Sequence, residues 1–133
     1  MLQIDKLLGK PFVNGGRGPD NYDCWGLVCE IFRMYGMELP DYKISCEDVS
    51  RIHSEIDVQK KYWSRCETGE IPTPALVVLR FNQAIFCNHT GVYIGDGRFI
   101  HTAEKMGVHI DRIDSPAWRR KIEGFYIPGW LDG

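Results

Sequence analysis

Apolar residues recur every three or four positions in the first half of the chain, and alternate or run together in the second. Cys24, Leu27, Val28, Ile31 and Tyr35 fall along one face at this spacing, which predicts a helix over 24–35. Ile4, Leu7 and Leu8 predict a short helix over 2–8 that stops at Gly9. Val49, Ile52, Ile56 and Trp63 mark the apolar side of another helix, capped by Ser45 with Asp48 in its first turn. Beyond Ile71-Pro72-Thr73-Pro74, which excludes helix, the period shortens and strands are predicted over 75–81, 89–94, 98–102, 108–113 and 122–127. Gly95-Asp96-Gly97 is a tight hairpin turn, and Met106-Gly107 marks another reversal. Helices first and antiparallel strands after them make an α+β fold rather than a βαβ one.

The candidate chemistry begins where the first long helix begins. Residues 14–21, Asn-Gly-Gly-Arg-Gly-Pro-Asp-Asn, form a loop, and Asp23 follows as an N-cap. Cys24 then takes the first helical position. A thiol there meets unpaired backbone N–H groups and the positive end of the helix dipole, which both favour thiolate. Gly36 reads as the left-handed residue that ends the helix.

A nucleophilic thiol needs a base. With the hairpin turn near Asp96, residues whose numbers sum to about 192 lie opposite one another. His89 and His101 are therefore near neighbours on one face of the pair. His89 can serve as general base, and His101 as the group that fixes its tautomer. The Cys24 backbone N–H is a ready oxyanion donor. The bland alternative is a buried free cysteine beside two core histidines. A metal site from Cys87, His89 and His101 lacks structural-zinc spacing and is not expected.

Composition narrows the partners. The 133 residues suit one domain spanning 1–133, and 44% hydrophobic with 26% charged residues is ordinary for a globular fold. A net charge of −2 leaves no basic footprint for nucleic acid or a membrane surface. Five scattered cysteines without C-x-x-C spacing argue against a disulfide framework and for a reducing environment. The first residues lack a signal-peptide h-region, so synthesis in a cytoplasm is expected, with any exit by assembly or lysis.

Taken together, these motifs resemble the NlpC-type cell-wall cysteine peptidases, which have a papain-like fold. The likeness runs from Leu8-Gly9-Lys10-Pro11-Phe12 and Gly15-Gly16 through Tyr22-Asp23-Cys24-Trp25-Gly26-Leu27-Val28 and Leu39-Pro40. It continues through His89-Thr90-Gly91-Val92-Tyr93-Ile94-Gly95, Phe99-Ile100-His101 and Gly107-Val108, with His101 twelve positions after His89. The resemblance implies N-terminal helices packed on a five-stranded antiparallel sheet, with Cys24 as nucleophile, His89 as base and His101 as orienting residue. It implies hydrolysis of the γ-D-glutamyl–diamino acid amide of peptidoglycan stem peptides, with no cofactor or metal. Trp25, where cellular members commonly have Ser, is similar to the variant met in phage and prophage tail proteins. A virion tail, or the host cytoplasm before assembly, is the location this implies, with other tail proteins as partners. The family's Tyr before the Gly-Gly loop is Phe12 here, so Tyr22 is the candidate to supply a hydroxyl. Phe12, Tyr22 and Trp25 are accordingly the expected substrate-binding residues. The usual Gly-Asp pair opening the first core strand is Pro74-Ala75.

Two other functions fit the same motifs: a non-catalytic tail or assembly protein on this fold, and a thiol-dependent acyltransferase or deamidase. The remaining features read as structural. His53 is a surface residue, His109 faces solvent, Arg119-Arg120-Lys121 is a solvated turn, Tyr93 is core, and Trp130 closes a core edge or makes a protein contact.

Overall fold

Among the described residues the chain builds a six-stranded antiparallel sheet, with core on both sides, whose meander of three strands carries the candidate site. A computed structural model describes residues 3–42, 49–66, 70–80 and 88–129. A short 3-10 turn at Ile4–Leu7 is followed by α1 (Cys24–Met34), α2 (Val49–Gln59) and the strands β1 (Trp63–Arg65), β2 (Ala75–Leu79), β3 (His89–Gly95), β4 (Arg98–Ala103), β5 (Gly107–Arg112) and β6 (Ile122–Pro128). The sheet order is β1-β6-β2-β3-β4-β5. The α+β class and the five expected strands are present.

The sixth strand was not expected. Trp63, assigned by its spacing to the apolar side of a helix, opens β1 and pairs with Pro128 of β6. The helical stretch gives way at Lys60–Tyr62 to a 3-10 turn. Trp63 is then buried edge-on against Phe32 and Trp25, with ring centroids 6.1 and 6.4 Å away. Aromatic burial on a pleated edge outweighs the helical period here. The Ser45 cap and Asp48, Phe81, Cys46, Cys87 and Trp130 lie outside the described residues, as does the His53 side chain.

Alternation along the strands divides the core in two. On one face Leu76, Val78, Val92, Ile100, Val108 and Tyr126 pack with Leu27, Val28, Ile31 and Phe32 of α1. On the other, Val77, Leu79 and Phe99 pack with Trp118. The helix thus presents the predicted stripe, and α1 lies against β3 and β4. It ends as expected: Gly36 has φ +87°, with Gly36 N–H bonded to Arg33 O and Met37 N–H to Phe32 O, both 2.9 Å. In the N-terminal turn Leu7 is buried and Ile4 half-buried, while Leu8 is exposed.

The start of α1 is held by one carboxylate. Asp23 Oδ1 accepts from Gly26 N–H at 2.7 Å, the bond that makes Asp23 the N-cap. Its other oxygen accepts from Gly15 N–H at 3.1 Å. Arg17 donates to Asp23 Oδ1 at 2.7 Å and forms a two-pronged pair with Asp41 at 2.8 and 2.9 Å. Both carboxylates raise the Arg17 pKa, keeping it charged. Loop and helix touch so closely that a Cβ on Gly26 would lie 2.1 Å from Gly16 O. Glycine there is what lets the loop carbonyl lie on the helix.

Replacing Asp23 with Ala removes the cap and leaves the Gly15 and Gly26 N–H groups without their acceptor. The expected loss is about 2 kcal/mol or more, read as a lower midpoint of urea denaturation. An unchanged midpoint would mean that this carboxylate does not organise the helix start.

Candidate active site

Cys24 is where its sequence places it, as the first residue of α1 directly after the Asp23 cap. It is half-buried and not part of a disulfide. Cys29, five residues on, is buried, and burial pushes that thiol up to about 11, which makes it a packing residue.

The two histidines meet as the register predicts. Val92 lies opposite Ile100 and Tyr93 opposite Phe99, so His89 and His101 are diagonal neighbours on one face. His89 Nε2 and His101 Nδ1 are 3.0 Å apart. Both residues are buried, at 5% and 0% exposure, too little for water to substitute for this bond. Gly91 makes the approach possible, since a Cβ there would meet His101 Cβ at 3.0 Å and Ile100 O at 2.9 Å. The His101 ring is wedged between Phe99, 4.5 Å away, and the edge-on Trp118, 4.9 Å away.

The chain of bonds continues to a residue that the sequence did not single out. His101 Nε2 is 2.7 Å from Asp111 Oδ2 on β5. An ionised carboxylate can only accept, so Nε2 carries the His101 proton and Nδ1 is left as an acceptor. His89 Nε2 must then donate to it, and His89 Nδ1 bears the ring's lone pair. One carboxylate thereby fixes the tautomers of two imidazoles and makes Nδ1 the basic atom of His89. Burial drives His89 well below the ordinary imidazole value, and the neighbouring His101 and His109 push the same way. Burial also lowers His101, to about 4, against the opposing pull of its bond to Asp111. Both rings are therefore neutral near pH 7.

His109 departs from its expected solvent-facing position. It pairs directly with His101 across β4 and β5, and the two rings are 4.3 Å apart. The sequence signal was available: with a reversal at Met106-Gly107, His101, His109 and Asp111 all fall on one face.

The three residues expected to bind substrate are disposed differently. Tyr22 is 1% exposed and packs over Gly18, and its hydroxyl is 3.5 Å from Glu30 Oε1. That is the setting of a core residue rather than of one lining an open cleft, because the Gly-rich loop folds over the ring. Phe12 is half-buried and bridged to Tyr22 through backbone pairing. Trp25 is half-buried beside Cys24 in sequence; its indole N–H donates to Pro40 O at 2.9 Å and its ring lies 5.0 Å from Tyr42. The turn at Arg119–Lys121 is a turn as expected, and Tyr93 packs with the second core.

Comparison with known proteins bears on the same stretch. The NlpC/P60 family model matches residues 9–126, which includes the Gly-rich loop, α1 and all six strands but the last residues of β6. The chain belongs to the NlpC/P60 family. Among its relatives, "Probable endopeptidase p60" of Listeria grayi is 30% identical over 123 residues, covering 92% of this chain and 21% of that protein. "Murein DD-endopeptidase MepS/Murein LD-carboxypeptidase" of Escherichia coli K12 is 27% identical over 122 residues, 91% of this chain and 57% of that protein. The chain thus spans about a fifth of the first relative and little more than half of the second. The fold is that of an NlpC/P60 family protein from Bacillus cereus ATCC 10987 (TM-score 0.65, 22% identity, 95% of this chain and 41% of that one). NlpC2 from Trichomonas vaginalis shares it too (TM-score 0.67, 21% identity, 92% and 42%).

The lowered histidine values carry a pH signature. An imidazole whose pKa falls on folding takes up protons more readily unfolded, so its stabilising contribution is complete above the unfolded value near 6.5. It is lost as pH falls from there toward about 4 for His101. Melting temperature should decline below pH 6.5, and His101→Asn should shrink that decline. Parallel profiles for the two proteins would show that His101 is not held neutral.

Proposed function

We propose that this chain is a cysteine endopeptidase or amidase that hydrolyses stem-peptide amides of peptidoglycan, with Cys24 as nucleophile, His89 as base and His101 as orienting residue. The observation that carries the reading is the buried 3.0 Å bond between His89 and His101, beside a helix that begins with a cysteine. His89 heads β3, and α1 packs on that strand, so the helix that begins with Cys24 and the proposed base belong to neighbouring elements. The names of the relatives, endopeptidase and murein DD-endopeptidase, support the reaction class and the polymer.

In this mechanism Cys24 Sγ passes its proton to His89 Nδ1 as it attacks the amide carbon. The oxyanion that forms accepts a hydrogen bond from the Cys24 backbone N–H. Collapse breaks the C–N bond, and the His89 proton leaves with the amine, giving a thioester on Cys24. Water, deprotonated by His89, then attacks the thioester, releases the acid and restores the thiol. Throughout, His101 Nδ1 holds the base by accepting from His89 Nε2, and Asp111 holds His101 at Nε2. Asp111 is a positioning residue, since it reaches the reacting atoms only through two rings.

The finer assignments rest on the resemblance. The γ-D-glutamyl–diamino acid bond follows from the family's usual chemistry. Trp25, in the place where cellular members commonly have Ser, is what supports association with a phage or prophage tail, with the virion tail or the host cytoplasm before assembly as the location. Treating 1–133 as one catalytic unit, without cofactor, belongs to the same reading.

Purified protein incubated with muropeptides under reducing conditions should yield fragments one water heavier in sum, identified by mass, and Cys24→Ala should abolish them. Asp111→Ala should lower kcat on the order of ten- to a hundredfold with KM little changed, as expected when a base loses its tautomer rather than its binding contacts. Intact muropeptides with the unmodified protein, or turnover surviving in Cys24→Ala, would overturn the proposal.

A further inference from the structure

His101, His109 and Asp111 form a cluster whose hydrogen-bonding inventory does not close. The β4–β5 register sets His101 directly opposite His109, and Asp111 lies two residues further on the same face. Asp111 Oδ2 is 2.7 Å from His101 Nε2 and 3.0 Å from His109 Nε2. The ligating atoms of all three lie within 4.8 Å of one another. His109 Nδ1 is 2.9 Å from Gly107 O. A carbonyl only accepts, so that nitrogen holds the proton of the neutral ring and Nε2 carries the lone pair. This Nε2 is buried and forms no hydrogen bond among the described residues, since its approach to Asp111 has ion-pair distance without hydrogen-bond geometry. A lone pair facing a carboxylate oxygen at 3.0 Å is repulsive unless a cation lies between them.

A second proton on His109 is one such cation. The ligand set describes another. Two imidazole nitrogens and one carboxylate oxygen, with one imidazole anchored through Nδ1–H to a backbone carbonyl, is the donor chemistry of a zinc-type site. His109 and Asp111 are partly exposed, at 26% and 30%, which gives an ion a route from solvent and an outer position for water.

We propose that His101, His109 and Asp111 bind a divalent transition-metal ion of the zinc type, and that loading this site switches off the His89 base. The consequence for the base follows from proton positions and rests on the function proposed above. A neutral imidazole bound to metal through Nε2 carries its proton on Nδ1. His101 would then donate from Nδ1 to His89 Nε2, reversing their hydrogen bond. The His89 proton moves to Nδ1, the atom that has to receive the thiol proton. No proton is gained or lost; two change places, and the base no longer has a lone pair where it needs one. The site is thus an off-switch built behind the orienting residue, distinct from direct capture of the thiol by metal.

Zinc titration of Cys24→Ala protein by calorimetry tests binding without the candidate nucleophile and without turnover. One saturable site per chain is expected, with affinity at least tenfold weaker in Cys24→Ala/His109→Ala. Cobalt(II) in place of zinc should give visible d–d absorption without a sulfur-to-metal charge-transfer band, which excludes the other cysteines as ligands. His109→Gln, with folding checked by circular dichroism, provides a second variant if the alanine protein does not fold. Equal affinity with and without His109, a sulfur band, or no saturable binding would overturn the site. In active Cys24 protein, zinc should inhibit, and His109→Gln should raise the zinc concentration needed at least tenfold. Equal sensitivity of the two proteins would overturn the switch. Because binding is read apart from hydrolysis, failure of the peptidase reading and failure of the metal site give different results.

Discussion

The pairing register of β3, β4 and β5 is the constraint on which the candidate site depends. A strand's side chains alternate with period two, so a slip of one residue in either pairing would turn its chemistry toward the opposite face. In the register observed, His89, His101, His109 and Asp111 share one side, and Ile100, Val92 and Val108 bury the other against α1. The same apolar alternation that fixes the core therefore fixes the polar chain. The Asp96-Gly97 turn, with both residues at positive φ (54° and 73°), pins the first of these registers.

The helix side of the site depends on a second constraint, the Asp23 carboxylate. It caps α1, takes the Gly15 N–H and holds Arg17, so the loop and the helix start behave as one piece. A nucleophile at the first helical position gains from this, because the geometry of its backbone N–H and thiol is set by a network that does not itself enter the reaction. The two constraints converge through α1, whose first residue is Cys24 and which packs on β3 and β4, the strands that carry His89 and His101.

Much of this was legible in the chain. The capped cysteine, the glycine that ends α1, the hairpin turn and the His89–His101 proximity all follow from local rules, since each depends on residues close in sequence or on one turn. What was missed depends on tertiary packing. Trp63 sits at helical spacing from Ile56 but is captured by the β6 edge and by Phe32. Tyr22 carries a hydroxyl near the nucleophile in sequence, yet the Gly-rich loop encloses it. Asp111 and His109 needed the register of a second hairpin, which the reversal at Met106-Gly107 marks without fixing; Lys105 and Gly107 supply the positive φ there. Read with that register, an isolated surface histidine becomes part of a four-residue polar line.

The central claim is that Cys24 and His89 act as one proton-transfer unit. The most direct measurement is the rate of Cys24 alkylation by iodoacetamide against pH, followed by mass mapping of the modified residue, in the unmodified protein and in His89→Ala. Alkylation of Cys24 is expected to persist well below the ordinary thiol pKa of about 8.5, and to shift toward that value when the imidazole is removed. A Cys24 that titrates as a free thiol, with a profile indifferent to His89, would contradict it.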